Sequence, residues 1–144
     1  MSEKLSDKKK HHTFDVAVIG AGPAGMMAAL RASQNGARVV LLEKKHSAGL
    51  KLLITGKQRC NITNAERDYQ TFAGYFGRNG KFFLSALYTF GVDDVIEFFE
   101  SNGLPVKEER GGRIFPKSDK AVDVQQLLLR LLRKNKVELR TRCS

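Results

Sequence analysis

Residues 20–25 read Gly20-Ala21-Gly22-Pro23-Ala24-Gly25, and their setting decides the fold. Before them, Phe14–Ile19 is a short apolar run rich in Val, which reads as a buried parallel strand. After them, Pro23–Asn35 reads as a helix. Pro23 suits its first turn, Met26, Met27, Ala29 and Leu30 give an apolar side, and Gly36 stops it. Arg38–Glu43 reads as a second strand, which completes a strand–helix–strand unit in about 30 residues. In such a unit the first glycine permits a tight turn, and the second lets the backbone approach a pyrophosphate. The third lets the helix pack against the strand. The helix N-terminus adds free N–H groups and a partial positive charge.

Glu43 closes the second strand, at about the distance beyond the last glycine, roughly 20 residues, at which a ribose-binding acid is expected. A carboxylate there accepts hydrogen bonds from the adenosine ribose hydroxyls and repels a 2′-phosphate. FAD and NAD share this fingerprint, so an NAD-binding dehydrogenase domain stands beside a FAD-binding one. The plainer alternative is a structural turn with a surface Glu.

The 144 residues predict one domain, and 42% apolar with 28% charged residues is globular composition. Cys60 and Cys143 read as reduced thiols of a cytoplasmic protein. The net charge of +10 raises a basic nucleic-acid-binding module as a third reading. The cations gather at the two ends, in the polar segment 1–12 and in Arg130–Ser144, and no nucleic-acid motif or stacking-aromatic pattern accompanies them. Nucleic acid is therefore an unlikely partner, and 1–12 reads as a disordered basic tail ahead of a domain over 13–144. The lysines before Val16–Leu30 mimic a secretory signal, but Asp15, Gly20, Gly22, Pro23 and Gly25 interrupt the pattern. The run also falls short of the roughly 18 residues of a membrane span.

Beyond Glu43, Lys44–Tyr75 is rich in Gly, Thr and Asn and shows little period, which predicts a long functional loop. Phe82–Phe90 and Asp93–Asn102 read as short helices ended by Gly91 and Gly103. Leu104–Glu109 and Arg113–Phe115 flank Gly111-Gly112 as a hairpin. Asp119–Lys134 reads as an amphipathic helix and Val137–Arg142 as a last strand.

The long loop carries the remaining candidates. Lys44 follows Glu43 directly. Lys51, Lys57 and Arg59 form a plausible clamp on a pyrophosphate, with Arg59 best suited to bidentate contact. Asn61, Thr63 and Asn64 either meet a ribityl chain or flavin edge, or cap turns. Cys60 has no Cys-x-x-Cys partner and reads as an inert small residue, although Arg59 beside it would lower its pKa. Asp93, Asp94, Glu97, Glu100, Glu108 and Glu109 read as solvated surface. No metal-ligand spacing and no catalytic acid or base stands out.

The stretch from Gly49-Leu50-Lys51-Leu52-Leu53-Ile54-Thr55-Gly56 through Lys57-Gln58-Arg59-Cys60-Asn61-Ile62-Thr63-Asn64 resembles the bacterial aminoacetone oxidase family of FAD-binding enzymes. The resemblance continues through Gly103–Glu109 and Gly112–Val124 and covers 14–142. It implies an α/β Rossmann-like FAD-binding domain with a parallel sheet and a small helical and hairpin insertion. It also implies a truncated chain, since such enzymes are more than twice as long. FAD would be held by Gly20, Ala21, Gly22, Pro23, Ala24, Gly25, Glu43, Lys44, Lys51, Arg59, Cys60, Asn61 and Thr63. NAD(P)H would be a possible co-substrate of the whole enzyme, which would work by hydride transfer. The sequence departs from the family at Leu50, where a basic residue is usual, and at Lys57 and Gln58, where further glycine is usual. A Cβ at Gln58 disfavours positive φ.

Overall fold

The computed structural model describes residues 13–144; the basic segment 1–12, expected to be disordered, lies outside the described residues. Three parallel strands form the main sheet: β1 (Val16–Ile19), β2 (Val39–Leu42) and β6 (Glu138–Arg140), in the order β1-β2-β6. Val16 pairs with Val39 and Ile19 with Leu42, while Val40 and Leu42 pair with Glu138 and Arg140. Helix α1 (Pro23–Gln34) joins β1 to β2, and the long α6 (Ala121–Lys134) leads into β6. Arg38 closes the edge, donating from its guanidinium to both oxygens of Asp15. That pair holds the Asp15 carboxyl at about 2.

The core lies between the sheet and these two helices. Met26, Ala29 and Leu30 of α1, Val39 and Leu41 of β2, and Val124, Leu127, Leu128, Leu131 and Leu132 of α6 are buried together. The spacing within α6 puts its leucines on one side, the amphipathic pattern read from sequence. Ala17 and Ile19 of β1 point the other way and are exposed, Ile19 to 87%.

A second, antiparallel sheet forms the insertion, in the order β3-β5-β4: β3 (Thr63–Asn64), β4 (Val106–Glu109) and β5 (Arg113–Pro116). The β4–β5 hairpin turns through Gly111 and Gly112, both at positive φ, as the sequence predicts. The short helices α3 (Tyr69–Gly74), α4 (Leu84–Thr89) and α5 (Val92–Ser101) complete it.

Two expectations need correction. Lys44–Tyr75 is not an irregular loop. It holds α2 (Leu50–Ile54), a 3-10 turn over Thr55–Gln58, β3 and α3. Elements this short show no period, and distant residues hold them in place. The helix expected over 82–90 begins at Leu84, after a 3-10 segment spanning Gly77–Phe83. Gly80 permits that segment, because a Cβ there would lie 1.8 Å from the Ala73 carbonyl oxygen. No helix among the described residues is long and apolar enough to cross a membrane.

One buried polar contact joins α6 to the segment after β2. The Gln125 side-chain amide donates to the Ala48 carbonyl at 2.6 Å. Replacing Gln125 by Leu leaves that carbonyl only a long contact from the Ser47 hydroxyl, at 3.4 Å, which is expected to cost about 1 kcal/mol. Urea unfolding of the Gln125→Leu protein, with a lowered midpoint and unchanged slope, checks this.

Candidate dinucleotide site

The glycine turn is built by exclusion. Gly20 leaves β1 at φ +94, and its amide donates to the Leu42 carbonyl at 2.7 Å. Gly22 caps α1 in an extended conformation, Pro23 follows at the first helical position, and the Gly22 carbonyl accepts from Met26. A Cβ on Gly25 would sit 1.9 Å from the Gly20 carbonyl oxygen, so only glycine lets the helix pass this close to the strand end. A Cβ on Gly22 would meet nothing within 4 Å. That is the open side of the turn, where a phosphate has room. The first-turn amides of Ala24 and Gly25 belong to the set that a helix leaves without intrahelical acceptors.

Ala21 is fully buried and tied on both sides. Its amide donates to Glu43 Oε2 at 2.7 Å, and its carbonyl accepts from the Gly49 amide at 2.7 Å. Its amide therefore serves the turn, not a phosphate. Glu43 stands at the end of β2, as expected, and its Oε1 accepts from the Lys45 amide at 2.8 Å. These donors, Lys45 first and then Ala21, hold the carboxyl below the usual range. Each oxygen keeps capacity for one further hydrogen bond, enough for ribose hydroxyls. Lys44 is exposed beside it.

The segment after β2 folds back onto the turn. Gly49, at φ +73, starts α2, and the chain then passes through a run that is left-handed at Gly56 (φ 56), Lys57 (φ 56), Gln58 (φ 69) and Cys60 (φ 64) and right-handed at Arg59 (φ -98). Gln58 thus adopts the conformation that its Cβ disfavours. Left-handed backbone costs roughly 1–2 kcal/mol per non-glycine residue. Gly56 must be glycine, since a Cβ would fall 2.8 Å from the Asn61 amide nitrogen and 3.0 Å from the Phe115 ring.

Arg59 does not extend as a free cation. Its Nη1 donates to Glu109 at 2.9 and 3.0 Å and to Asp119 at 3.4 Å, and its guanidinium lies 4.1 Å from the centre of the Phe115 ring. Lys107 completes the group, with its Nζ 2.5 Å from Asp119 and 3.3 Å from Glu109. Partial burial raises the Glu109 carboxyl, but Arg59 and Lys107 outweigh this and leave it low. Hydrogen bonding from Lys107 does the same for Asp119. Glu109, read from sequence as solvated surface, is thus part of an ion cluster. Of the three proposed clamp cations, Lys51 and Lys57 are exposed, with no salt bridge among the described residues.

The polar residues further on serve the backbone. Asn61, with its amide oriented to satisfy both partners, donates to the carbonyls of Thr63 and Ile114 at 3.0 and 3.1 Å. Thr63 pairs with Ile114 in the small sheet. Asn64 donates to the Gly111 carbonyl and accepts from the Glu66 amide. Cys60 is buried, and burial pushes its thiol up, with no lowering from Arg59. Asp93 pairs with Arg67, and Asp94 accepts from the Gly91 amide to cap α5. A cavity of about 520 Å³ separates the first turn of α1 from this segment. Pro23 and Ala24 line it together with Thr55, Cys60, Asn61, Phe83 and Phe90.

Residues 14–144 match the family described as HI0933-like protein Rossmann domain. The chain belongs to this family. Over 128 residues, 88% of the chain and 30% of the relative, it is 41% identical to the 3-dehydro-bile acid delta(4,6)-reductase of Clostridium scindens. It is 35% identical to the ribosomal RNA dihydrouridine synthase of Escherichia coli, over 90% of the chain and 31% of the relative. The chain thus spans about a third of the length of these relatives. Among solved structures it resembles the open conformation of a flavocytochrome c3 fumarate reductase, with TM-score 0.66, 22% identity and 90% of the chain matched to 26% of the other. It also resembles the 3-ketosteroid-delta4-(5alpha)-dehydrogenase of Rhodococcus jostii RHA1, with TM-score 0.65, 16% identity and 90% matched to 38%. These two likenesses establish the fold. The HI0933-like Rossmann domain is a FAD-binding domain.

The residues present fit the ADP half of FAD. The turn offers an open side at Gly22, helix-start amides, and an ionised carboxylate at the ribose position. Because the Glu43 carboxyl is lowered on folding, its contribution to stability is complete above the ordinary carboxylate range and is lost as pH falls through its folded value. The stability difference between the wild type and Glu43→Gln is therefore expected to be constant over about pH 6–8 and to shrink only in acid. Urea midpoints measured across pH check it.

Proposed function

We propose that the Gly20–Gly25 turn and Glu43 hold the ADP half of FAD in an enzyme that reduces an electron-poor carbon–carbon double bond. The observation that carries the binding reading is the glycine turn, crowded shut at Gly25 and open at Gly22. The backbone amides at the start of α1 face the pyrophosphate, and Glu43 takes the ribose hydroxyls and excludes a 2′-phosphate. Lys44, Lys51 and Lys57 add positive charge around this anion. Cys60 and Asn61 line the neighbouring cavity, while Arg59 joins the cluster of Glu109, Asp119 and Lys107 and Thr63 pairs in the small sheet, so none of the four clamps phosphate. FAD supplies the hydride chemistry when bound, and the protein supplies orientation and electrostatics.

The reductive direction is supported by the two long matches. A delta(4,6)-reductase and a dihydrouridine synthase both bear names that describe adding hydrogen to a carbon–carbon double bond. NAD(P)H suits such an enzyme as the source of the hydride. The resemblance to aminoacetone oxidases supports a second reading, in which an amine gives its hydride to FAD.

In the intact protein, Gly22→Val is expected to fold normally, because the side chain enters open space, yet to weaken FAD binding at least about tenfold. Titrating FAD against both proteins checks this, and equal affinities would contradict the assignment. Anaerobic mixing separates the two reactions. Reduced protein that regains its flavin absorbance near roughly 450 nm on addition of an α,β-unsaturated ketone supports the reductase. Oxidised protein bleached by aminoacetone supports the oxidase.

A further inference from the structure

The run Gly56–Cys60, left-handed at every residue except Arg59, is not self-supporting, because Lys57, Gln58 and Cys60 carry side chains that resist that conformation. Few contacts lock it from outside. On one side Gly56 lies against Asn61 and the Phe115 ring. On the other, Arg59 stacks on that ring and reaches Glu109 of β4 and Asp119, which precedes α6. Lys107 bridges the same two carboxylates, so neither is left with a single counter-charge. This cluster ties the run to both the hairpin and the start of α6. The run supplies Cys60 to the cavity lining, and its two flanking residues, Thr55 and Asn61, line the same cavity with Pro23 and Ala24.

We propose that Arg59 is a positioning residue: its latch to Glu109, Asp119 and Phe115 holds the left-handed run in place, so that the cavity wall beside the FAD phosphate turn is formed before the cofactor arrives. The proposal rests on the FAD reading above. Arg59 touches no phosphate in this role. It offsets the backbone resistance that Lys57, Gln58 and Cys60 introduce, and its effect on FAD must depend on those side chains.

The test is a double-variant cycle in the intact protein, read by FAD titration and by the visible spectrum of bound flavin. Arg59→Ala is expected to raise the FAD dissociation constant about tenfold and to change the bound spectrum. Arg59→Lys keeps the charge but loses the planar guanidinium that lies over the Phe115 ring, so it falls between. Gln58→Gly relieves the run, so adding it to Arg59→Ala should recover most of the lost affinity. A purely structural role, which would lower stability alone, predicts no such recovery and no spectral change. Should Arg59→Ala fail to fold, Glu109→Gln combined with Asp119→Asn removes the latch charges at constant shape and should show the same glycine rescue. Wild-type affinity and spectrum in Arg59→Ala, or an undiminished loss in the Gln58→Gly background, overturns the latch. Gly22→Val separates the two failures. If it loses FAD while Arg59→Ala matches the wild type, the latch alone is wrong. If the wild type holds no FAD, the cofactor reading fails and the latch with it.

Discussion

Helix α1 can begin where it does only because residue 25 has no side chain. The Gly20 carbonyl occupies the space a Cβ would need, at a separation of 1.9 Å. Close packing at that point brings the helix start to the carboxyl end of β1, and the rest follows from it. Ala21 is forced inward, where Glu43 takes its amide and Gly49 its carbonyl. The end of β2 and the beginning of α2 are thereby fastened to the same turn. Gln125 then fastens α6 to the residue before Gly49. One steric constraint thus sets the positions of the glycine turn, Glu43 and the segment that folds back on them.

Glu43 has a structural role that leaves its proposed binding role open to it. Its two backbone donors hold the turn and keep the carboxyl ionised, and a carboxylate has acceptor sites to spare for a sugar. A surface glutamate and a ribose ligand are therefore not competing descriptions. The same carboxylate that a dinucleotide would use is already needed to shape its phosphate site.

The main sheet was legible because its signals are local. Apolar runs flank a glycine turn with an acid at a set distance, and α6 is long enough to show its period. The insertion was legible at its hairpin, where Gly111-Gly112 marks the turn, and at α5, which Gly91 and Gly103 bound. The segment 44–75 was not, because α2, β3 and α3 are too short for periodicity and are fixed by contacts with residues far along the chain. Arg59 was misread for the same reason. Its sequence neighbours suggest a phosphate clamp, whereas its partners Glu109, Phe115 and Asp119 lie at least 50 residues away. Nothing local marks Gln58 and Cys60 as left-handed, since the usual signal for that conformation is glycine.

The most direct measurement of the central claim is a crystal structure of the intact protein with FAD. The account predicts the pyrophosphate on the open side of Gly22, within hydrogen-bond reach of the Ala24 and Gly25 amides, and the adenosine ribose hydroxyls on Glu43. A pyrophosphate bound away from this turn, with Glu43 touching only its own backbone donors, would contradict it.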